Sequence, residues 1–337
     1  MSERVLTELN DLIPNLHTEV EQLLAQIPHG RVTTYGDLAR VLGDENARSA
    51  RWLGEFLNHH PHHADCRCYR VVRSNGEVGL FVEGDPKAKG DRLQSEGVDV
   101  SPTGKVDLSR KFTDFVSSRP LEAMRIYQKQ LAESVSFNPP KSALRSIAGV
   151  DVAYADANTA CAAYVQLDLV TLEPVFQATL TRPVRFPYIP GYLTFRELPV
   201  LLELCLSVQK QQKLADVLFV DGNGQLHPWR AGIATCLGIS LDHPTIGIGK
   251  SLLCGRVDSS GDTLKPHPII IDEKKEPPEI IGMALPSAFR KSPCYVSVGH
   301  RMSLELAVKL ALQSTGKRAL PEPIYLADRL TKQAKRQ

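Results

Sequence analysis

Two aspartates stand where apolar strands do not ordinarily tolerate charge: Asp151 within IAGVDVAY and Asp221 at the end of LADVLFVDGNG. A carboxylate in a buried strand costs on the order of several kcal/mol unless it is paired or holds a metal. Glu197, early in a helical stretch, and His300, closing a third strand, add two more ligating side chains. Hard cations such as Mg²⁺ take oxygen ligands, and Asp151, Glu197 and Asp221 offer them from three separate elements. A cation so held polarises a phosphoryl group, lowers the pKa of bound water and steadies a leaving oxygen, so the set reads as metal-assisted phosphodiester hydrolysis. His300 then completes a water-mediated shell or shuttles a proton. Lys250, in PTIGIGKSLLCG, neutralises charge developing on the phosphate. The plainer account is a group of strand-end polar residues satisfied by loop amides, and the co-occurrence of the whole set argues against it.

Between the acids lies FPYIPGYLTFRE, residues 186–197. Its rigid, aromatic Tyr188-Ile-Pro-Gly turn is a candidate wedge at a base step, where unstacking costs about a few kcal/mol. A Pro-Gly turn with a packed tyrosine is the simpler reading of composition alone. A second constellation lies in the N-terminal third. Cys68, in CRCYRVV, follows the His-rich turn NHHPHH and is flanked by Arg67 and Arg70, whose charge favours a thiolate; its plainer reading is a strand-edge thiol. With His59, His60, His62 and His63 nearby, the Cys66–Cys68 pair offers zinc-ligating residue types. Their spacing matches no closed structural zinc pattern, so a solvated loop is the expectation there.

The chain is long enough, at 337 residues, for two domains. Hydrophobic residues at 42% and charged residues at 23% are ordinary for a soluble globular protein. The N-terminus has no basic region followed by an apolar one, and no apolar run approaches a membrane span, so a cytoplasmic protein is expected. Seven scattered cysteines fit reduced thiols rather than a disulfide framework. The net charge of +2 divides unevenly: residues 1–115 carry 14 Lys and Arg against 18 acids, and the remainder carries 26 against 20. Within the first part, residues 31–73 have seven Arg against five acids. Charge thus permits a nucleic-acid face in both halves without demanding one.

These side chains need elements to hold them. Leu16, Val20, Leu23, Leu24 and Ile27 follow helical spacing. Residues 35–42 and 47–57 read as two short helices, with Arg48 and Arg51 on the second. Val71, Val72, Val78 and Leu80 around Ser-Asn-Gly suggest a small β-wing. Together they make a winged helix-turn-helix over 1–115. Residues 113–120 form a hinge, with Pro120 at a helix boundary. From 121 to 337 a helix bearing Leu121, Met124, Tyr127, Leu131 and Val135 precedes strands near 147–154, 160–169, 216–221, 244–249 and 294–299. These alternate with helices near 195–210, 229–238 and 302–313, the pattern of an α/β layered domain on a mixed sheet. Residues 258–279, rich in Asp, Lys, Glu and Pro, read as a surface excursion.

IAGVDVAY, PYIPGYLTFRE, LFVDGNGQLHPWRAG, PTIGIGKSLLCG, VSVGHRMSLELA and LPEPIYLADRL occur in an order and spacing that resemble endonuclease V over about residues 121–330. The resemblance implies an RNase H-like fold and Mg²⁺-dependent nicking of DNA, with Mn²⁺ as a substitute. The implied cut is at the second phosphodiester 3′ to deaminated bases, chiefly inosine. It makes Asp151, Glu197 and Asp221 metal-linked acids, His300 and Lys250 supporting catalytic groups, Tyr188 and Pro190 the strand-separating wedge, and Gly222 part of the flipped-base pocket. Asn223 departs from the His usual in that run, which implies a tuned pocket. A nuclease of this type directed at inosine in RNA is the competing expectation.

IPHGRVTTYGDLARVLG, ARSARWLGEFL, CYRVV and RLQSEGVDV resemble the DNA-binding domain of O6-alkylguanine-DNA alkyltransferases, over about residues 17–112. Carried over, Tyr35 presses on the target nucleotide's phosphate, Arg51 fills the vacated stack, Cys68 is the alkyl acceptor and Glu96 is the acid of its relay. Tyr69 replaces the His linking thiol to acid, and His60 replaces a pocket Asn. A phenol with a pKa near ~10 is a poorer base than imidazole. The segment 80–89 lacks the usual Gly-Gly loop and, with EGVDVSPTGKVDL after it, is similar to alkyltransferase-like proteins that bind damage without reacting. The expectation is therefore a DNA-repair chain whose partners are DNA bearing deaminated bases and O6-alkylguanine, with a non-catalytic lesion-binding N-terminal domain as the alternative.

Overall fold

A computed structural model of the chain describes residues 2–335 except 61, 63–64, 82–84, 259–264, 273–274, 288–291 and 317. Its contacts divide the chain into two compact units. One comprises Ile13–Arg125 with Phe186–Tyr192, the other Met1–Leu12, Ile126–Arg185 and Leu193–Gln337. A single cut between 115 and 121 does not describe them. Helix α1 (Ser2–Leu12) belongs with the larger unit, and the segment expected to form the wedge belongs with the smaller one.

In the smaller unit, α2 (Leu16–Gln26) buries Leu16, Val20, Leu23 and Leu24 along one face, and the Asn15 side chain caps it on Thr18 N–H. Strand β1 (Thr33–Thr34) leads into α3 (Tyr35–Val41), capped by the Thr34 hydroxyl on Asp37 N–H. After a turn that carries Arg48 comes α4 (Ala50–His59), which carries Arg51. These two helices are the expected helix-turn-helix. Strand β2 (Val71–Val72) pairs in parallel with β1, and α5 (Pro86–Ser95) follows, capped by Asp85. The wing differs from the expected hairpin. The Ser74–Gly76 turn does close, Arg73 N–H donating to Glu77 O at 2.9 Å, but Glu77 then bridges to Lys105 and Val100 to Val106. Val72, Val78 and Val106 meet Val32 and Leu93 in one small core, which draws the ladder toward 100–106. The unit's last helical residues open α6 (Pro120–Glu133), which starts at the expected proline.

The larger unit is built on a sheet with nine strands among the described residues. Strands β3 (Ser146–Asp156), β4 (Thr159–Asp168) and β5 (Pro174–Pro183) form an antiparallel meander. Strands β6 (Val217–Asp221) and β7 (Thr245–Gly249) add in parallel beside β3. Beyond them lie β11 (Cys294–His300), β10 (Glu279–Leu285), β9 (His267–Asp272) and β8 (Arg256–Val257), all antiparallel. The expected surface excursion at 258–279 thus contributes β9 and the first residue of β10. Its Asp, Lys and Pro content hides a strand whose Ile269, like Ile281 of β10, is buried.

Helices α7 (Leu193–Lys210), α8 (Ile233–Leu241), α9 (Leu304–Ser314) and α10 (Glu322–Ala334) cover the sheet. Val217, Phe219, Ile246, Ile248, Val296 and Val298 meet Leu310 of α9 and Ile324 of α10 in the main core. Their alternates Leu218 and Val220, equally buried, face the side of α7 and α8. This is the RNase H-like mixed α/β architecture. All seven thiols are free, and among the described residues no helix is long and apolar enough to cross a membrane.

Candidate active site

Parallel pairing places the two aspartates side by side. Val150 registers with Val220, so Asp151, in the middle of β3, and Asp221, at the end of β6, follow together. Asp221 registers with Ile248 of β7, and Lys250 lies two residues further on. With a period of two, Asp151, Asp221 and Lys250 face the same side of the sheet. The Lys250 ammonium pairs with the Asp221 carboxylate.

Helix α10 lies over that face because Gly149 lets it approach. A Cβ at 149 would stand 2.0 Å from the carbonyl oxygen of Pro323, beside the first turn of α10. The close approach carries Thr331 to Asp151, its hydroxyl donating to Oδ2 at 3.2 Å. Asp328, three residues earlier, acts electrostatically on both Asp151 and Lys250. Glu197 enters from α7, buried, and accepts a hydrogen bond from the Tyr154 hydroxyl at 3.0 Å. The Arg196 guanidinium covers the Tyr154 ring at 4.4 Å.

Burial, and then the charge of Asp221, push the Asp151 carboxyl up to about 8. Burial likewise pushes Glu197 up to about 7, against the hydrogen bond from Tyr154. Acids that raise each other's affinity for protons form a site that a cation relieves by replacing protons. Oxygen-only donors on separate rigid elements, with one lysine beside them, fit a hard divalent ion better than a soft one.

Beside Asp221 the backbone turns sharply. Gly222 adopts φ +145°, and a Cβ there would come within 2.5 Å of Ile233 Cγ2, so only glycine fits. Asn223 Oδ1 is buried with no hydrogen-bond partner among the described residues. In the 186–192 segment Phe186, Ile189 and Tyr192 are buried anchors, whereas Tyr188 is 62% exposed and Pro190 is also exposed. The segment has the form of a wedge: a fixed base and a bare aromatic tip.

His300 lies elsewhere. It registers with Thr245, three residues along β7 from the partner of Asp221 and five from Lys250, or roughly 10 Å and 16 Å at ~3.3 Å per residue. A register irregularity between Val298 and His300 turns its side chain toward Gly238 of α8. There the ring accepts from Ser136 N–H at 3.2 Å and meets Asp242 at 3.4 Å. The expected role for His300 in the metal shell or in proton transfer to the scissile site is therefore corrected. Asp328, by contrast, is near enough to Asp151 and Lys250 to act on both. Its motif, LADRL, is legible in sequence, but nothing local marks that Asp as facing a strand end.

The smaller unit gathers the second constellation. Tyr35 opens α3, with its hydroxyl 3.4 Å from Lys89 Nζ, and Arg51 is exposed on α4. Cys68 is buried, with Sγ 3.3 Å from His62 Nδ1. Half of the expected relay exists: the Tyr69 hydroxyl donates to Glu96 Oε1 at 2.5 Å, and Arg70 pairs with the same carboxylate. Burial and then the Glu96 hydrogen bond push the Tyr69 phenol up, so it serves as a donor. His62, which the sequence marks only as one of several zinc-ligating residue types, is the imidazole at the thiol. Lys89, missed in the sequence reading, is fully buried and pushed down to about 8 by that burial, with the Cys68 charge opposing. In sequence, the PKAKG run carries no signal of this.

The His-rich turn is not a solvated loop. His60, Cys66 and Cys68 are buried, and His60 Nε2 lies 3.0 Å from Cys66 Sγ. A hydrogen bond from Cys68 pulls the Cys66 thiol down to about 3 despite burial, and the same bond together with burial pushes Cys68 up. His59 is exposed, and His63 lies outside the described residues.

The family model for endonuclease V matches residues 129–329, and that for the 6-O-methylguanine DNA methyltransferase DNA-binding domain matches residues 15–98. A bifunctional methyltransferase/endonuclease of Picrophilus torridus is 33% identical over 319 residues, covering 93% of this chain and 94% of its own. Human ENDOV superposes with a TM-score of 0.58 at 32% identity, covering 64% of this chain and 98% of that one. Ciona intestinalis endonuclease V, crystallised with a 24mer DNA containing an inosine followed by a ribo-adenosine, gives 0.57 at 29% identity, with 64% and 98% coverage. The protein is a metal-dependent DNA-repair endonuclease acting on damaged DNA. The chain belongs to the endonuclease V family, with a DNA-binding domain of the 6-O-methylguanine DNA methyltransferase type at its N-terminus.

Proposed function

We propose that the chain nicks DNA at the second phosphodiester 3′ to a deaminated base, chiefly deoxyinosine, with Mg²⁺ held by Asp151, Glu197 and Asp221. The observation that carries this reading is the convergence of those three acids with Asp328 and Lys250 around the middle of β3 and the ends of β6 and β7. Mg²⁺ supplies charge stabilisation at the phosphoryl group and a more acidic water. Tyr154 orients Glu197, Thr331 orients Asp151, and Lys250 balances the carboxylates while its ammonium offers charge to the phosphate. Tyr188 and Pro190 open the base step, and Gly222 lets the backbone pass close to an extruded base. Incubated with inosine-containing duplex and Mg²⁺ (or Mn²⁺), the protein is expected to leave one nick in the inosine strand. Intact substrate, under conditions where another enzyme of the family cuts it, would reject the reading. The ribo-adenosine in the Ciona complex favours a second reading, cleavage at inosine in RNA. Matched DNA and RNA strands compared in one assay decide between them.

For the smaller unit we propose binding of O6-alkylguanine in DNA and transfer of the alkyl group to Cys68. The support is a buried thiol in contact with an imidazole, next to a buried lysine. In that step the Sγ–carbon bond forms and the carbon–O6 bond breaks. The thiol proton leaves toward His62, and the guanine regains a proton. After exposure to O6-methylguanine DNA, mass spectrometry is expected to find one added methyl on Cys68. Tight binding with no methyl gained would instead leave a pure lesion-binding module, the reading that burial of the thiol favours.

A further inference from the structure

Four ligating side chains converge in the smaller unit, none of them part of the carboxylate site. We infer that His60, His62, Cys66 and Cys68 form a tetrahedral Zn²⁺ site. One ligand atom from each lies within 4.8 Å of all the others. With Zn–S near ~2.3 Å and Zn–N near ~2.0–2.1 Å, tetrahedral ligands stand about 3.3–3.8 Å apart. Two of the pairs, His60 Nε2 to Cys66 Sγ at 3.0 Å and His62 Nδ1 to Cys68 Sγ at 3.3 Å, are already at or just inside that spacing.

The surroundings suit ligation. His60 Nδ1 contacts the Leu57 carbonyl at 3.0 Å, and donation there fixes the tautomer whose bare Nε2 faces the thiols. The His62 ring packs edge-on to His60 and Phe81, with centroids 4.2 and 5.4 Å away. Its Nδ1 faces the Cys68 thiol at 3.3 Å, so the nitrogen turned toward the other three ligands is the one free to coordinate. Two thiols with two imidazoles are the donor set of closed zinc sites, and they select zinc over the Mg²⁺ suited to the carboxylates. The spacing His-x-His-x3-Cys-x-Cys is tighter than the usual paired motifs. The site closes because the end of α4 supplies His60 while the turn at Cys68–Arg70 doubles the chain back. Bound zinc would hold both sulfurs as thiolates, so the methyl-transfer assay on Cys68 is to be run on zinc-free and zinc-loaded protein.

The test is spectroscopic and uses the full chain, stripped with chelator and titrated with Co²⁺ in excess Mg²⁺, which keeps the carboxylate site occupied. The expected result is intense tetrahedral d–d absorption with a thiolate-to-cobalt charge-transfer band. Both should saturate at one equivalent and be abolished by one equivalent of Zn²⁺. Cys66→Ser should lose most of the charge-transfer intensity, and His60→Ala should weaken cobalt binding at least tenfold. Wild-type protein that shows only weak octahedral absorption at every Co²⁺ concentration overturns the site, whether or not the variants fold. Charge-transfer intensity that persists undiminished in a folded Cys66→Ser protein also overturns it.

Discussion

Asp221→Ala is expected to cut nicking of inosine-containing duplex by about a thousandfold or more, which corresponds to ~4 kcal/mol of lost transition-state stabilisation. Asp221 stands between Asp151 and Lys250, interacting with both, so its removal dismantles the charge arrangement and not a single contact. Folding should survive. Removing one of several mutually repelling carboxylates relieves part of their burial cost, and the melting temperature is expected to hold or rise. His300→Ala provides the contrast. Because His300 faces Asp242 and α8 at the far end of β7, the variant should nick within about threefold of wild type, well inside the scale of a lost catalytic group. Single-turnover rates at saturating Mg²⁺ measure both. Near-normal nicking by Asp221→Ala would remove the carboxylate site from the reaction, and a hundredfold loss in His300→Ala would restore the histidine to it.

Gly149→Ala is expected to destabilise the larger unit by about 3 kcal/mol, the upper end of the usual cost of overpacking. The added methyl would meet a backbone carbonyl, Pro323 O, at 2.0 Å, and Pro323 opens α10 against the sheet. A flexible side chain could rotate away, but a helix entry must shift as a whole. The melting transition of this unit should fall by about 6–12 °C. The same shift pulls Thr331 and Asp328 from Asp151, so nicking should decline even at temperatures where the variant stays folded. An unchanged melting temperature would mean that α10 does not rest on β3 as described.

Much of this was legible from local chemistry. The apolar runs around Asp151 and Asp221 and the short helix expected at 35–42 depend on short-range preferences that any window of the chain displays. Pairing was less legible. The wing strand found its partner in a segment nearly thirty residues on, and the sheet gained β9 from a stretch whose composition reads as loop.

The errors share a cause. His300 carries the right chemistry at a strand end, yet strand direction decides which end. In an antiparallel neighbour the terminus of β11 lies beside the start of β7, away from the acids in the middle of β3 and at the end of β6. Asp328 carries no local mark and is placed by the docking of a helix through one glycine. Likewise Tyr69 occupies the relay position in the motif, while space puts His62 at the thiol, and a spacing with no zinc pattern closes around four ligands. The sequence by itself determined the two constellations, their families and the acids that define the nuclease, because those rest on residue type and short spacing. Only the tertiary structure decided which residues complete each site. Ligation and proton transfer depend on distances of a few ångströms between segments far apart in the chain, and those distances are set by strand polarity, register and helix docking.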